Sequence, residues 1–341
     1  MKFYLEKLAA QEALTQQETE EAVGKIFTDE ISESEIAAFM IGLKTKGETV
    51  DEIAGIVQAM RKNSLSFSKK LPNMIDNCGT GGDGSKSFNI STTSAFVMAG
   101  AGITVAKHGN RSISSRTGSA DVLEELGVSL DLPPEITEEI LENNGIAFLF
   151  APHVHPKIKS IMKVRKDLKI PTVFNFIGPL TNPLELDYQL LGINRGDMLD
   201  IFADVLNSLG RKRAVVLNGA GSMDEASLAG ENHMVILDGG VRTRETLHPE
   251  HVGLSVVDNS QIVGGDAKEN AAILLDVLKG KKGACRDTVL LNAGIGIFTA
   301  GRAETIQQGV FRAIESIDSG AALGKLHYLI EKSTQYKKAV I

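Results

Sequence analysis

DNCGTGGDGSKSFNISTTSAFVMAGAGITVAKHGNRSISSRTGSADVLEELG, residues 76–127, is the stretch whose reading decides the fold. Glycines stand at 79, 81, 82 and 84, an apolar helical pattern runs over 91–101, and 103–106 reads as a strand ending at Lys107 and His108. A helical pattern beside a short apolar run, with glycine turns between, is the texture of an α/β sheet. Outward from it the same alternation continues. Candidate strands are 103–106, 146–150, 188–193, 214–217, 234–237 and 288–291. Helical patterns lie at 91–101, 120–126, 134–142, 198–209, 270–278 and 305–316. This predicts a central, mostly parallel sheet flanked by helices.

Upstream, the texture is helical only. Thr15 and Glu18, Ser32 and Glu35, and Thr49 and Glu52 each have the spacing of a capping box. Behind them Ile36, Phe39, Met40 and Leu43, then Ile53, Ile56 and Met60, recur at helical spacing. Residues 61–72 read as a connection. The fold class expected is therefore α/β, with a small N-terminal helical domain over 1–70 and a larger α/β domain over 71–341. Helices near 156–185 are candidates to join the former.

The 341 residues are 43% hydrophobic and 23% charged, the balance of a globular chain with ample core. A net charge of -7 lacks the basic footprint of a general nucleic-acid binder, so no nucleic-acid partner is expected. No apolar run approaches the ~18 residues of a membrane helix, so no membrane partner is expected either. The opening MKFYLEKLAAQEAL meets Glu6 and Glu12 before an apolar region forms, which does not read as a signal peptide. Cys78 and Cys285 can form neither a disulfide framework nor a zinc cluster. A reduced, cytoplasmic setting is the expectation.

The glycine loop satisfies the letters G-x-G-x-x-G, but the acidic residue a dinucleotide site wants about 20 positions on is replaced by Lys107 and His108. Ser85 stands where a P-loop needs Lys. Neither a nicotinamide cofactor nor ATP is supported. Phosphate still is: clustered glycines expose backbone N–H groups, and a helix start at Ser91–Ser94 presents its positive end. Residues 85–120 hold no Asp or Glu, yet carry Lys86, Lys107, His108, Arg111 and Arg116 with hydroxyls at Ser87, Ser91, Thr92, Ser112, Ser114, Ser115 and Ser119 among others. In an acidic chain that points to a local anion site; the bland reading is a mobile surface loop.

Two other places carry candidate chemistry. Asp224 and Glu225, behind Gly219, Gly221 and Ser222, would hold Mg²⁺ beside a polyphosphate, or else begin a solvated helix. Arg165, on a helix beginning near Pro156, could present its fork to a carboxylate, although Lys163, Lys166, Asp167 and Lys169 suggest a solvated face. His153 and His155 lack a third ligand at metal spacing, and Cys78 lacks a histidine partner pattern.

Taken together, DNCGTGGDG, KHGNRSISSRTGSADVLEELG, FNFIGPLTNP and GSMDEAS resemble the anthranilate phosphoribosyltransferase family, across essentially the whole chain. The resemblance implies transfer of the phosphoribosyl group of 5-phosphoribosyl-1-pyrophosphate to the amine of anthranilate, a step of tryptophan biosynthesis. It implies that Gly79, Gly82, Asp83, Ser87, Asn89, Ile90, Ser91 and Thr92 hold the phosphoribosyl pyrophosphate. Lys107, His108, Gly109, Asn110, Arg111, Ser112, Ile113, Ser114, Ser115 and Ser119 would complete that site. Gly79, Asn110 and Arg165 would meet anthranilate, and Ser91, Asp224 and Glu225 would serve Mg²⁺, two ions per monomer. No residue is expected to act as an obligatory nucleophile or base. The family pattern also implies a homodimer formed through the helical domain. Ser87 stands where the family often has Thr, with the hydroxyl kept. A pyrimidine nucleoside phosphorylase of the same fold, and a ligand-binding module without chemistry, remain the alternatives.

Overall fold

The computed structural model describes residues 1–28, 30–112 and 116–340; Ile113, Ser114 and Ser115, named above, lie outside the described residues. The chain opens with four helices, α1 (Lys2–Ala9), α2 (Gln16–Ile26), α3 (Glu33–Lys46) and α4 (Val50–Lys62). All three capping boxes form: Thr15, Ser32 and Thr49 each accept the backbone N–H three residues on, while Glu18, Glu35 and Glu52 reach back. The apolar stripe works as its spacing predicts, with Ile36, Phe39, Met40, Leu43, Ile53 and Ile56 at 0–1% exposure.

The sheet begins with β1 (Met74–Gly79), followed by α5 (Ile90–Gly100), β2 (Thr104–Gly109), α6 (Ser119–Glu125), α7 (Pro134–Asn144) and β3 (Ile146–Phe150). A short α8 (Ala151–Val154) and α9 (Lys159–Leu168) lead through 3₁₀ turns, one of them Gly178–Thr181, to β4 (Tyr188–Gly192). Then come α10 (Leu199–Ser208), β5 (Arg213–Asn218), β6 (Asn232–Asp238) and β7 (Val241–Leu247). Four helices close the chain: α11 (Ala267–Leu278), α12 (Ala284–Thr299), α13 (Ile306–Asp318) and α14 (Ala321–Val340). The strand order is β3-β2-β1-β4-β5-β6-β7. Neighbours from β3 to β5 are parallel, while β6 and β7 are antiparallel additions. The chain winds outward from β1 to β3, then returns to place β4 on the other side of β1. That reversal opens a crevice at the carboxyl ends of β1 and β4, where open α/β sheets bind ligands.

Strand alternation divides the interior. Val215 and Leu217 of β5 enter a core with α5, α12, α13 and α14, whereas Ala214 and Val216 face the opposite way. On that second face, α10 packs through Phe202, Val205 and Leu206 and continues directly into the core of α1–α4. Ile161, Val164, Val173, Phe174, Ile177 and Leu180, all within 156–185, lie in this same core. The helical bundle is thus joined to one face of the sheet by continuous apolar packing. Among the described residues, no helix is long and apolar enough to cross a membrane.

The expected strand at 288–291 is a correction: these residues lie inside α12. That helix is apolar around nearly its whole circumference, so it shows little 3.6-residue contrast, and its β-branched Thr288 and Val289 mimic a buried strand. Two strands went unanticipated. β1 carries buried Asp76 and Asn77 inside its run, and β7, an edge strand, is exposed along almost its entire length. Neither shows the apolar signature of a strand. α14 was likewise not anticipated.

Burial separates three motifs that look alike in sequence. The Glu52 carboxylate is fully buried and also accepts from Leu14 N at 3.0 Å and Lys46 Nζ at 2.8 Å, tying α4 to the α1–α2 connection and to α3. Glu35 is half-buried and bonds only within its own helix start. Glu52→Ala should therefore cost about 3 kcal/mol, by stranding Lys46 and two backbone donors. Glu35→Ala should leave the urea midpoint close to that of the unaltered protein. Equal effects would contradict the bracing role.

Candidate active site

The crevice at β1 and β4 is filled from one side by the connection leaving β5. Its first residue, Gly219, exchanges backbone hydrogen bonds with Met223 in a tight turn, and the chain then crosses over the ends of β1 and β4. Gly79 and Gly192 are paired at the ends of those strands. A Cβ on Gly79 would overlap the Asp224 carboxylate, and one on Gly192 would overlap the Asp224 backbone oxygen. The crossing therefore requires glycine at both strand ends. Beyond it, Asn292 on α12 clamps Ala226, accepting from its N–H at 2.9 Å and donating to its carbonyl at 2.8 Å.

This arrangement sets Asp224 and Glu225 against the glycine loop and the start of α5. Asp224 Oδ2 accepts from Gly81 N at 2.6 Å, and Glu225 Oε1 accepts from Ser91 N at 3.2 Å. Ser91 is the junction: its Oγ lies 3.5 Å from Lys107 Nζ, and its carbonyl accepts from Asn77 Nδ2 at 2.9 Å. The buried Lys107 ammonium also donates to Asn77 O at 2.6 Å. Neither acid begins a helix, so the solvated-helix alternative does not describe the pair. Burial, then the negative charges of Glu225 and Asp83, hold the Asp224 carboxyl well above the usual carboxylate range. Burial likewise pushes the Glu225 carboxyl up to about 7, against the opposing pull of Lys107. Asp83 faces them and has a buried Oδ2 without a hydrogen-bond partner.

Crowded carboxyls at Asp224 and Glu225, both raised by burial, with an orphaned oxygen of Asp83 beside them, fit a hard divalent cation. Among the described residues no group of three or more His, Cys, Asp or Glu stands ready to hold a metal alone. A cation here needs further oxygens, which substrate phosphates and water supply.

The glycine loop itself is held at both ends. Thr80 N donates to Gly192 O at 3.0 Å, and Asn194 Nδ2 donates to Gly81 O at 3.2 Å. Asp83 Oδ1 accepts from Ser85 N and Oγ, and Ser87 forms a bridge with Val263. Asn89 accepts from Asn270 Nδ2 at 2.9 Å and donates toward Thr117 O at 3.4 Å, joining the α5 start to α11 and to the second loop. Ile90 and Thr92 are buried in the first turn of α5. Gly82 lies against Asn194.

In the second loop, Gly109 leaves no room for a Cβ beside Ser119 Oγ, which donates to Asn110 O at 3.2 Å. Ser112 N donates to Asp121 Oδ2 at 3.2 Å. Arg111 is engaged: it bonds Glu124 at 2.8 Å and Asp121 at 3.0 Å, and these partners raise its pKa. Sequence ends its acid-free span at 120, but the fold turns the next two acids of α6 back onto this arginine.

Below the loops lies a buried network that sequence reasoning did not find. Asp76 accepts from Asn182 Nδ2 at 2.9 Å and from His108 N at 3.3 Å, and Cys78 Sγ donates to it at 3.4 Å. Burial raises the Asp76 pKa, opposed by Lys107. Asn182 also donates to Ala106 O at 2.8 Å, which pins the proline corner to β2. His108 and His155 meet edge to face at 5.4 Å, and burial holds both neutral, His155 down at about 4. His153 is spent on Leu132 O at 3.0 Å. The paired Asn-Pro and Gly-Pro letters marked this corner as a turn, and nothing in them named Asp76 as its partner.

Arg165 stands apart. No hydrogen bond or ion pair among the described residues ties it to either loop. It is half-buried on α9, its Nη1 lies 3.2 Å from Met162 Sδ, and burial lowers its pKa. Its neighbour Lys163 is exposed and paired with Glu33. Among the described residues no carboxylate pairs with this half-buried guanidinium, whereas the exposed Lys163 has Glu33.

Residues 2–64 match the sequence model of the glycosyl transferase family, helical bundle domain, and residues 71–323 match that of the glycosyl transferase family, a/b domain. The class is a two-part glycosyl transferase. An anthranilate phosphoribosyltransferase of Exiguobacterium sibiricum is 60% identical over 329 residues, 96% of this chain and 97% of that protein. The crystal structure of the Thermus thermophilus anthranilate phosphoribosyltransferase superposes with a TM-score of 0.92 at 38% identity, covering 97% of this chain and 99% of the other. The Saccharomyces cerevisiae anthranilate phosphoribosyltransferase, in complex with PRPP and Mg, superposes with a TM-score of 0.89 at 27% identity, covering 97% of both chains. The chain belongs to the anthranilate phosphoribosyltransferase family.

Two outcomes follow from the geometry. Gly192→Ala should displace the 219–226 crossing and lower activity by about 100-fold, because a backbone oxygen, unlike a side-chain end, cannot swing aside. Circular dichroism should show the fold retained. The Glu225 carboxyl, at about 7 when folded against an ordinary 4.5, stabilises the fold fully below 4.5 and loses that contribution as pH rises through about 7. Glu225→Gln, neutral throughout, should gain roughly 3 kcal/mol on the unaltered protein between about pH 5 and pH 8. A constant difference across that range, measured by urea unfolding, would refute the shift.

Proposed function

We propose that this protein transfers the phosphoribosyl group of 5-phosphoribosyl-1-pyrophosphate to the amine of anthranilate, releasing pyrophosphate, in tryptophan biosynthesis. The observation that carries this reading is the acidic pair, Asp224 and Glu225, set against the glycine loop, the α5 N-terminus and Lys107. Anion-binding and cation-binding groups meet there at one strand-end crevice, as a magnesium-bound diphosphate ester requires.

In this reading the 79–92 and 107–119 segments cradle the phosphates through backbone N–H groups and hydroxyls. The Lys107 ammonium faces charge that builds on departing pyrophosphate. Asp224, Glu225 and Ser91 would hold Mg²⁺, two ions per monomer, which would supply further charge neutralisation when bound. Arg165 takes the anthranilate carboxylate, with Gly79 and Asn110 beside the ring. The aniline nitrogen is already neutral near pH 7, so no side chain has to remove a proton before attack, and catalysis rests on alignment. The helical unit over 1–70, extended by 156–185, forms the homodimer contact, and the enzyme is cytoplasmic.

The test mixes the protein with anthranilate, 5-phosphoribosyl-1-pyrophosphate and Mg²⁺ and follows the loss of anthranilate fluorescence. Turnover is expected, and the double substitution Asp224→Asn, Glu225→Gln should abolish both rate and metal dependence. Arg165→Gln should raise KM for anthranilate by about tenfold to a hundredfold while leaving the metal requirement alone. Phosphorolysis of a pyrimidine nucleoside without loss of fluorescence would put the phosphorylase reading first.

A further inference from the structure

On the side of the sheet away from the crevice, at the amino ends of β1, β4 and β5, a cavity of 580 Å³ opens between the helical bundle and the sheet. Its walls come from the last turn of α4, the 67–72 connection, the 183–187 segment and the α10–β5 turn. Leu209 borders it from one apolar core, Leu184 and Leu186 from the other, so it lies on the seam of the two.

The lining is cationic in a chain whose net charge is -7. Arg61, Lys69, Lys70, Arg211 and Lys212 outnumber Glu185 and Asp187. The lysines are matched: Lys69 pairs with Glu142, Lys70 with Glu185 at 3.0 Å, and Lys212 with Asp187 at 2.8 Å. The two arginines are not. Among the described residues, neither guanidinium has a carboxylate within ion-pair distance. Arg61 gives Nη2 to Leu184 O at 3.2 Å. Arg211, 4% exposed, gives Nε to Gln189 Oε1 at 3.0 Å and Nη1 to the carbonyls of Leu186 and Leu209. Its Nη2 is buried without a partner.

A buried guanidinium bonded only to neutral oxygens, with one donor edge empty and a second cation nearby, is the unfinished half of an ion site. Burial and the charge of Arg61 push Arg211 down to about 9, the direction that a bound anion reverses. Two forks on different elements suit an oxyanion with several oxygens better than a single carboxylate.

We propose that this cavity is a second anion site, distinct from the substrate crevice, which takes a phosphate dianion, free or as a small monoester, between Arg61 and Arg211. Bound there, the anion links the end of α4 to the β4 and β5 ends across the seam. The site does not depend on the catalytic reading above.

Thermal unfolding of the full chain, followed while inorganic phosphate is raised at constant ionic strength, tests it. The comparison takes the unaltered protein, Arg61→Gln, Arg211→Lys, and Lys107→Met as the substrate-crevice control. Phosphate at about ten times its Kd should raise Tm by about 2 °C. That rise should persist in Lys107→Met and vanish when either arginine substitution is combined with Lys107→Met, with Arg61→Gln alone turning over within about twofold of the unaltered enzyme. Repeating the titration with ribose 5-phosphate separates the two forms of ligand: a larger rise that Arg61→Gln removes assigns the monoester, and no larger rise assigns free phosphate. A rise that survives Arg61→Gln in the Lys107→Met background, a rise lost in Lys107→Met, or no rise in the unaltered chain overturns the proposal. Should Arg211→Lys fail to fold, Arg61→Gln decides alone; should Lys107→Met fail, Ser91→Ala replaces it.

Discussion

The close passage of one backbone over two strand ends is the constraint on which the rest of the site depends. The 219–226 connection can cross β1 and β4 only because Gly79 and Gly192 leave the room that Cβ atoms would take. The crossing brings Asp224 to Gly81 and Glu225 to Ser91, residues more than 130 positions away in the chain. It also buries carboxyls beside one another, at a cost in free energy that a protein without a cationic ligand would have no use for. The strain of the acidic pair and its proposed use are two aspects of one geometry.

A second constraint holds the loops in register. Asp76, inside β1, joins the proline corner through Asn182 and β2 through the His108 backbone, so three segments share one buried carboxyl. Such networks rigidify when every member is satisfied. Here Lys107 supplies the countercharge, and its ammonium reaches the crevice while its stem stays in the core. The same lysine therefore supports the framework and faces the proposed substrate site. On the far side of the sheet Arg61 and Arg211 have no such countercharge, and that contrast carries the inference of a second anion site.

Legibility followed the range of the interaction. The α1–α4 stripe and its three capping boxes were readable because their partners lie three or four residues apart. The glycine loop points to phosphate in the sequence because the groups that would bind it stand in consecutive residues. The reading failed at α12, where a helix buried on all sides shows no polar face, and at β1, where Asp76 and Asn77 break the apolar run of a central strand. The acid-free span 85–120 did not show that α6 turns Asp121 and Glu124 back onto Arg111.

By itself, then, the sequence determined the class of the fold, the helical start, and the kinds of groups available for binding phosphate and a cation. Those properties depend on residue type and local periodicity, which survive in a one-dimensional string. Tertiary structure alone decided which groups meet: Asp224 with Gly81, Asp76 with Asn182, Arg61 with Arg211 across one cavity. Strand order sets those pairings, and strand order comes from packing two faces of a sheet at once, which no window along the chain contains.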